Sequence, residues 1–298
     1  MFQKFRLTVF LFLSMVYLST DELCAQEQGM PSDSLVSISL KDGTTLKGSI
    51  VQEDEVSITV VTIGGLEVNV PKSSVVSTKP IRGRVAEGVF YRFDPNYSRL
   101  MFAPTGRPLR KGEGYFSDYY VCFPGISYGV TDQLSLMVGV SIVPGLGLTE
   151  QLRYVAPRIG IQTSDDFAVS AGVLYVSVGG EFSAGIAFAV GSIGQQDKSF
   201  TAGMGLGYVK EEEGEFEFAE HPILMLGGNV RLSDSVALVS ENWFITGQDF
   251  DLGKQPFGIA IRFFGDRIAA DVGLILIGEI LEEGVPIPWL SLVYNFGR

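Results

Sequence analysis

The chain has 298 residues, 46% hydrophobic and 19% charged, with a formal net charge of -12 at pH 7, which gives room for one large domain, or a large one with a small one beside it. That acidity disfavours nucleic acid as a partner, two cysteines exclude a disulfide framework or a cysteine-rich metal site, and beyond the N-terminus no apolar run approaches the length of a helical membrane span. The 36 glycines follow no G-X-Y period and argue against collagen and helical bundles alike.

The chain opens with MFQKFRLTVFLFLSMVYLSTDELCAQEQ, in which Lys4 and Arg6 precede an apolar run from Leu7 to Leu18 and a small residue at Ala25. This is the pattern of a secretory signal cut before Gln26, so residues 1–25 are expected to be a signal peptide. Glu22 and Leu23 before Cys24 speak against a lipidation site.

Residues 34–79 carry five short apolar runs, LVSISL, TLKGSIVQEDE, VSITVVTI, LEVNVP and SSVVST, with hairpin turns at Asp42-Gly43 and Gly64-Gly65. A strand, LKDGTTLKG, a second strand and a hairpin ending in VNVPKSSV resemble the SH3-like and Sm-like small barrels. The resemblance covers this segment only and brings no nucleotide-binding residues with it; it implies an adaptor role. Residues 80–96 mix Pro, Gly and charge without a period and read as a linker.

From residue 97 to 298 the runs alternate large apolar with small or polar residues, giving twelve candidate strands near 97–106, 115–129, 133–143, 152–163, 167–178, 181–191, 199–209, 221–232, 235–247, 256–264, 267–278 and 287–296. One set of connections is short (Thr131-Asp132, TSDD, GQQDK, LSDS, GDR) and the other mostly long, such as KEEEGEFEFAEHP. The apolar phase includes Leu134, Leu136 and Val138, then Ile159 and Ile161, Phe182, Ile186, Phe188 and Val190, then Ile259, Ile261 and Phe263, and finally Leu290, Leu292 and Tyr294. The opposite phase is mostly Gly, Ala and Ser, with Asp118, Arg158, Arg231, Glu241, Arg262 and Asp271 among them. A soluble sandwich would turn its large residues inward and show Lys and Glu outside. The composition here fits a barrel whose apolar face looks at lipid, because in hydrocarbon only a closed sheet pairs every backbone polar group.

These runs resemble a Gram-negative outer-membrane β-barrel protein over about two thirds of the chain, and the ending LVYNFGR is similar to the aromatic-ended last strand that such proteins present to the barrel-assembly machinery, except that Gly297 and Arg298 follow the Phe. The expected fold is therefore all-β, a closed antiparallel transmembrane barrel of about twelve strands preceded by a small SH3-like domain in the periplasm. The partners implied are outer-membrane lipid, the barrel-assembly machinery and a periplasmic protein.

Asp118, Glu241 and Asp271 against Arg158, Arg231 and Arg262 give a balanced set of inward charges, with Asp271 and Arg262 expected on diagonal positions across the GDR turn. They read either as the lining of a polar passage or as a salt-bridged plug in a sealed barrel. Small inward residues leave a twelve-stranded lumen open unless a loop or the N-terminal segment enters it. His221, the single histidine, has Ile223 where a lipid hydrolase of the outer-membrane phospholipase pattern places serine, so no catalytic residue is assigned. The acidic loop lacks calcium-loop spacing and no metal or cofactor is expected. The expected function is a passive pore or transport-associated channel for small solutes; the alternative is a sealed scaffold that binds a protein through its periplasmic domain or outer loops.

Overall fold

A computed structural model describes residues 35–86, 88–179, 182–211, 214–247, 250–277 and 286–297. The expected signal peptide lies outside the described residues.

Five strands open the described chain: β1 (Leu35–Leu40), β2 (Thr45–Glu53), β3 (Ser57–Thr62), β4 (Glu67–Pro71) and β5 (Val75–Pro80), with a 3-10 turn at Lys72–Ser74. They form one antiparallel sheet in the order β4-β3-β2-β1-β5. The turns follow from local chemistry. Gly43 sits at φ 87° and Gly65 at φ 81°, a region a Cβ disfavours. Asp42 accepts from the Thr44 amide and Asp54 from the Val56 and Ser57 amides, and these bonds hold both carboxyls below their ordinary range. Alternate apolar positions converge on a core of Ile38, Ile58 and Val60.

The segment expected to be a linker carries a hairpin, β6 (Gly83–Ala86) and β7 (Val89–Arg92). Its strands are too short to show a period, but Phe90 packs with Leu35 and Ile81, tying the hairpin to the small sheet.

The remainder is a closed ring of twelve antiparallel strands: β8 (Gly114–Tyr119), β9 (Phe123–Gly129), β10 (Leu134–Val140), β11 (Leu152–Gln162), β12 (Phe167–Val178), β13 (Phe182–Gln195), β14 (Lys198–Glu211), then β16 (Ile223–Ser233), β17 (Val236–Ile245), β18 (Phe257–Phe264), β19 (Ile268–Leu276) and β20 (Ile287–Phe296). A two-residue strand, β15 (Glu217–Phe218), lies against the outer end of β14. The ring closes through β20 on β8, from Ser291↔Tyr119 to Phe296↔Gly114.

The number of strands agrees with expectation, but two of their positions do not. Residues 97–106 are not in the wall; they make a single bridge, Arg99↔Pro104, and lie inside the ring. The run 115–129 is two strands, β8 and β9, reversed at Tyr120 and Val121, both at positive φ (54° and 64°). Two successive residues of that kind make the hairpin turn that Asn-Gly normally supplies, so Tyr-Val gave no turn signal.

The strand faces are sharply different. Along β18 the residues alternate, with Ile259, Ile261 and Phe263 exposed and Ala260, Arg262 and Phe264 buried. Along β20 Leu290, Leu292 and Tyr294 are exposed, whereas Trp289, Ser291, Val293 and Asn295 are buried. The exposed apolar set continues through Leu134, Leu136 and Val138 on β10 and Ile159 and Ile161 on β11.

In β13 the expected phase is inverted. Val190 is buried inside the ring with Phe188 packed beside it, and Ala187 and Ala189 take the outward positions opposite Leu206 and Met204. The reason lies in β14: Gly203, Gly205 and Gly207 stand directly opposite Val190, Phe188 and Ile186. A Cβ on Gly203 would come within 2.5 Å of Val190 Cγ1, and one on Gly205 within 2.5 Å of Ile186 Cδ1. Bulk on one strand fills the space its neighbour leaves, and a size alternation alone does not say which face is which.

Candidate functional site: a re-entrant segment in the barrel lumen

Residues 94–109 enter the ring from the short-turn rim, double back near Phe102 and leave beside the turn at Asp132, whose carboxylate accepts from the Lys111 amide. Inside, Leu100, Met101 and Ala103 join a buried apolar cluster with Tyr119, Val190, Met225, Val239, Ala260 and Trp289 of the wall. A buried segment without ladder partners must satisfy its backbone by other means, and the wall charges do this.

Arg262 is the central group. It lies directly opposite Asp271 in the β18–β19 ladder, not diagonally, and makes a two-pronged bridge to it, Nε to Oδ1 at 2.7 Å and Nη2 to Oδ2 at 2.9 Å. Its remaining donors reach Asp94 Oδ2 at 3.0 Å and the Leu100 carbonyl at 2.5 Å. This fork suits guanidinium, which presents donors in a plane to several acceptors at once. Glu241 Oε2 accepts from the Phe102 and Ala103 amides at 2.8 and 2.9 Å, and its Oε1 accepts from Trp243 Nε1 at 2.9 Å. Arg158 donates to the carbonyls of Ser98, Thr105 and Arg107 at 3.0, 3.4 and 3.3 Å. Three wall charges thus hold the two arms and the tip of one segment.

The other two residues of the expected inward set lie elsewhere. Arg231 is on the inward phase but at the short-turn rim, stacked on the Phe264 ring 4.8 Å away and donating to the Asp234 carbonyl. Asp118 belongs to the outward set: Tyr115, Ser117 and Tyr119 take the inside of β8, and Asp118, level with the exposed Leu292, accepts from the Phe123 amide across the hairpin.

Three residues of the segment, which the sequence offers only as part of a distinctive entry into the barrel read as a turn and first strand, complete the network. Asp94 bridges Arg262. Arg99 donates to Tyr119 Oη at 2.9 Å and to the Met101 carbonyl at 2.6 Å, and its ring-facing guanidinium lies 3.6 Å from Asp271. Arg107 donates to the Gly194 carbonyl. A usable signal was present: Pro104 and Pro108 in APTGRPL argue against a central strand.

The space left beside the segment is a cavity of about 90 Å³ bordered by Phe102, Met137, Arg158, Phe188 and Trp243. Ligand pockets run to roughly 300–1,000 Å³, and about 30 Å³ is one water's share of liquid. Beside the segment, among the described residues, there is room for only a few waters.

His221 is exposed, its ring beside Gly247. Among the described residues no group of His, Cys, Asp and Glu is arranged to hold a metal ion, and no helix is long and apolar enough to cross a membrane, which says nothing of strands.

The fold and the network define a class: a closed twelve-stranded antiparallel barrel, apolar outside, its lumen occupied by the chain's own N-terminal segment. No protein-family model matches the chain and no curated protein matches it. Among solved structures it is similar to the KdgM porin, at 9% identity and a TM-score of 0.42 over 62% of this chain and 98% of that one. The KdgM porin in complex with disordered oligogalacturonate gives 10% identity and a TM-score of 0.40 over the same shares. A mutant of the Rh. blastica porin gives 12% identity and a TM-score of 0.32 over 88% of this chain and 97% of that one.

Proposed function

We propose that the protein is an outer-membrane channel for small solutes whose passage is closed at rest by residues 94–109 and opens when that segment is displaced. An apolar outer face of this extent is rare on soluble monomers, and a closed ring meets the demand of hydrocarbon that every backbone group be paired. Short turns on one rim and mostly longer loops on the other, the Tyr120-Val121 hairpin excepted, follow the layout of outer-membrane barrels, with the short turns and the N-terminal unit in the periplasm. The β4-β3-β2-β1-β5 order and the 3-10 turn before β5 support reading that unit as an SH3-like adaptor for a periplasmic protein.

One observation carries the gated reading. Two of the three wall charges keep a wall partner without the segment: Arg262 retains both bonds to Asp271, and Glu241 retains Trp243, whereas the bonds of Arg158 all go to the segment. A buried charge stripped of every partner is strongly destabilising, so a permanent plug needs no such reserve. The second reading, a sealed scaffold, is favoured by the dry cluster around Leu100 and Met101.

Conductance in planar bilayers separates the two. Wild type is expected to be silent, and a variant with residues 95–108 replaced by a short Gly/Ser linker is expected to conduct, its fold checked by heat-dependent gel mobility. Silence from the folded variant would establish the scaffold, and steady current through wild type would show that the segment does not close the lumen.

A further inference from the structure

The short-turn rim carries a second set of charges that the gated reading does not use. Three of its turns each present one aspartate, and each aspartate meets a cation of the N-terminal unit. Asp234 takes Lys47 of β2 at 3.0 Å, Asp197 takes Arg84 of β6 at 2.6 Å, and Asp266 takes Arg92 of β7. The hairpin seam holds a cavity of about 30 Å³ lined by Arg84, Arg92, Gln196, Asp197 and Arg231 together with Tyr91 and Phe93. On its barrel side Arg231 lies within electrostatic reach of Asp94, Asp197 and Asp234.

The hairpin is also tied to the lumen by the chain itself. Arg92, in the clasp, is two residues from Asp94, which bridges Arg262 inside the ring. Two extended residues span at most roughly 7 Å. A larger swing of the hairpin away from the rim must draw Asp94 off Arg262, and Arg262 then keeps Asp271. The other arm has a rim anchor of its own beside the turn that holds Arg84, where Arg107 donates to the Gly194 carbonyl three residues before Asp197.

We propose that the β6–β7 hairpin is the release handle of the lumen segment: the partly exposed ion pairs of Arg84 and Arg92 with the acidic turns, with that of Lys47 on β2 beside them, hold it down, and the two-residue tether to Asp94 converts its lifting into withdrawal of the segment. This rests on the reading of 94–109 as a displaceable stopper. Exposed pairs of this kind are individually weak and screened by salt, so the handle is the part of the assembly that a modest force or a change in rim charge moves first.

The test uses the full mature chain in planar bilayers. Reversing the three cations (Lys47→Glu, Arg84→Glu and Arg92→Glu together) is expected to raise open probability roughly tenfold, the factor that about 1.4 kcal/mol supplies. Adding Asp234→Lys, Asp197→Lys and Asp266→Lys to that protein restores the pairs with exchanged sign and is expected to return it to silence, which separates release from misfolding. Four glycines inserted between Arg92 and Phe93 in the reversed protein lengthen the tether and are expected to abolish the current gained by the reversal. If the linker variant described above conducts while the reversed protein stays closed, the handle is refuted and the gated reading stands. If the linker variant itself is silent, the gated reading falls. Undiminished current after the glycine insertion would refute the tether.

Discussion

Among the described residues, the ion pairs that the barrel wall makes lie in two places, the lumen and the short-turn rim, and they differ in depth. In the lumen the Arg262, Asp271 and Asp94 side chains are 2%, 0% and 3% exposed. At the rim Lys47 and Asp234 are 33% and 47% exposed, and Arg92 and Asp266 are 21% and 64% exposed. The same chemistry therefore does two different things. Inside, where an unpaired charge is costly, it fixes one arrangement of segment and wall. Outside, where water competes for each charge, it holds the N-terminal unit in place at little energy and leaves it free to let go.

The largest expected effect breaks the buried set. Arg262→Met leaves Asp271 and Asp94 in the lumen without their main partner and should cost about 3–5 kcal/mol, read as a fall in the denaturant midpoint of the detergent-folded protein. One residue along the same strand, on the opposite face, Ile261→Arg puts a charge on the apolar girdle beside Leu238 and Val272; at mid-depth this should cost about 2–4 kcal/mol by the same measurement. Equal tolerance of charge at 261 and at an exposed loop position would contradict a lipid-facing girdle.

Packing inside the ring sharpens the contrast without touching a charge. Gly203→Val places side-chain atoms against Val190 and should destabilise by about 1–3 kcal/mol, whereas Gly265→Val, in an open turn at the rim with nothing within 4 Å of a new Cβ, should unfold with wild type. The smallest effect belongs to the rim. Asp234→Asn should shift the midpoint by less than about 1 kcal/mol, and the shift should vanish near 1 M salt, where the screening length is about 3 Å.

How much of this was legible in the sequence depended on whether the two faces of a strand differed in chemistry or only in size. FGIAIRFF shows its faces plainly, because Arg262 among apolar alternates can only be inside. FSAGIAFAVG does not, since a lumen filled by an apolar segment welcomes Phe188 and Val190 as readily as lipid does. Residues 97–106 looked like a strand because a short apolar run has the same composition in a wall and in a plug; the prolines that flank its second arm were the available correction. Glu241 and Arg158 were identifiable as inward groups from their strands, but the segment groups they bind are backbone atoms more than 50 residues away, and no local pattern encodes such a meeting. Asp94 and Arg99 read as part of a turn and first strand for the same reason.

Backbone hydrogen exchange of the bilayer-reconstituted wild-type protein tests the central claim most directly. If the barrel is closed by its own segment, the amides of Leu100, Phe102 and Ala103, bonded to the Ala103 carbonyl and to Glu241, should exchange as slowly as those of β18 and β19. Exchange of these amides at the rate of an unstructured chain, with the strands still protected, would mean the segment does not reside in the lumen and would contradict the account.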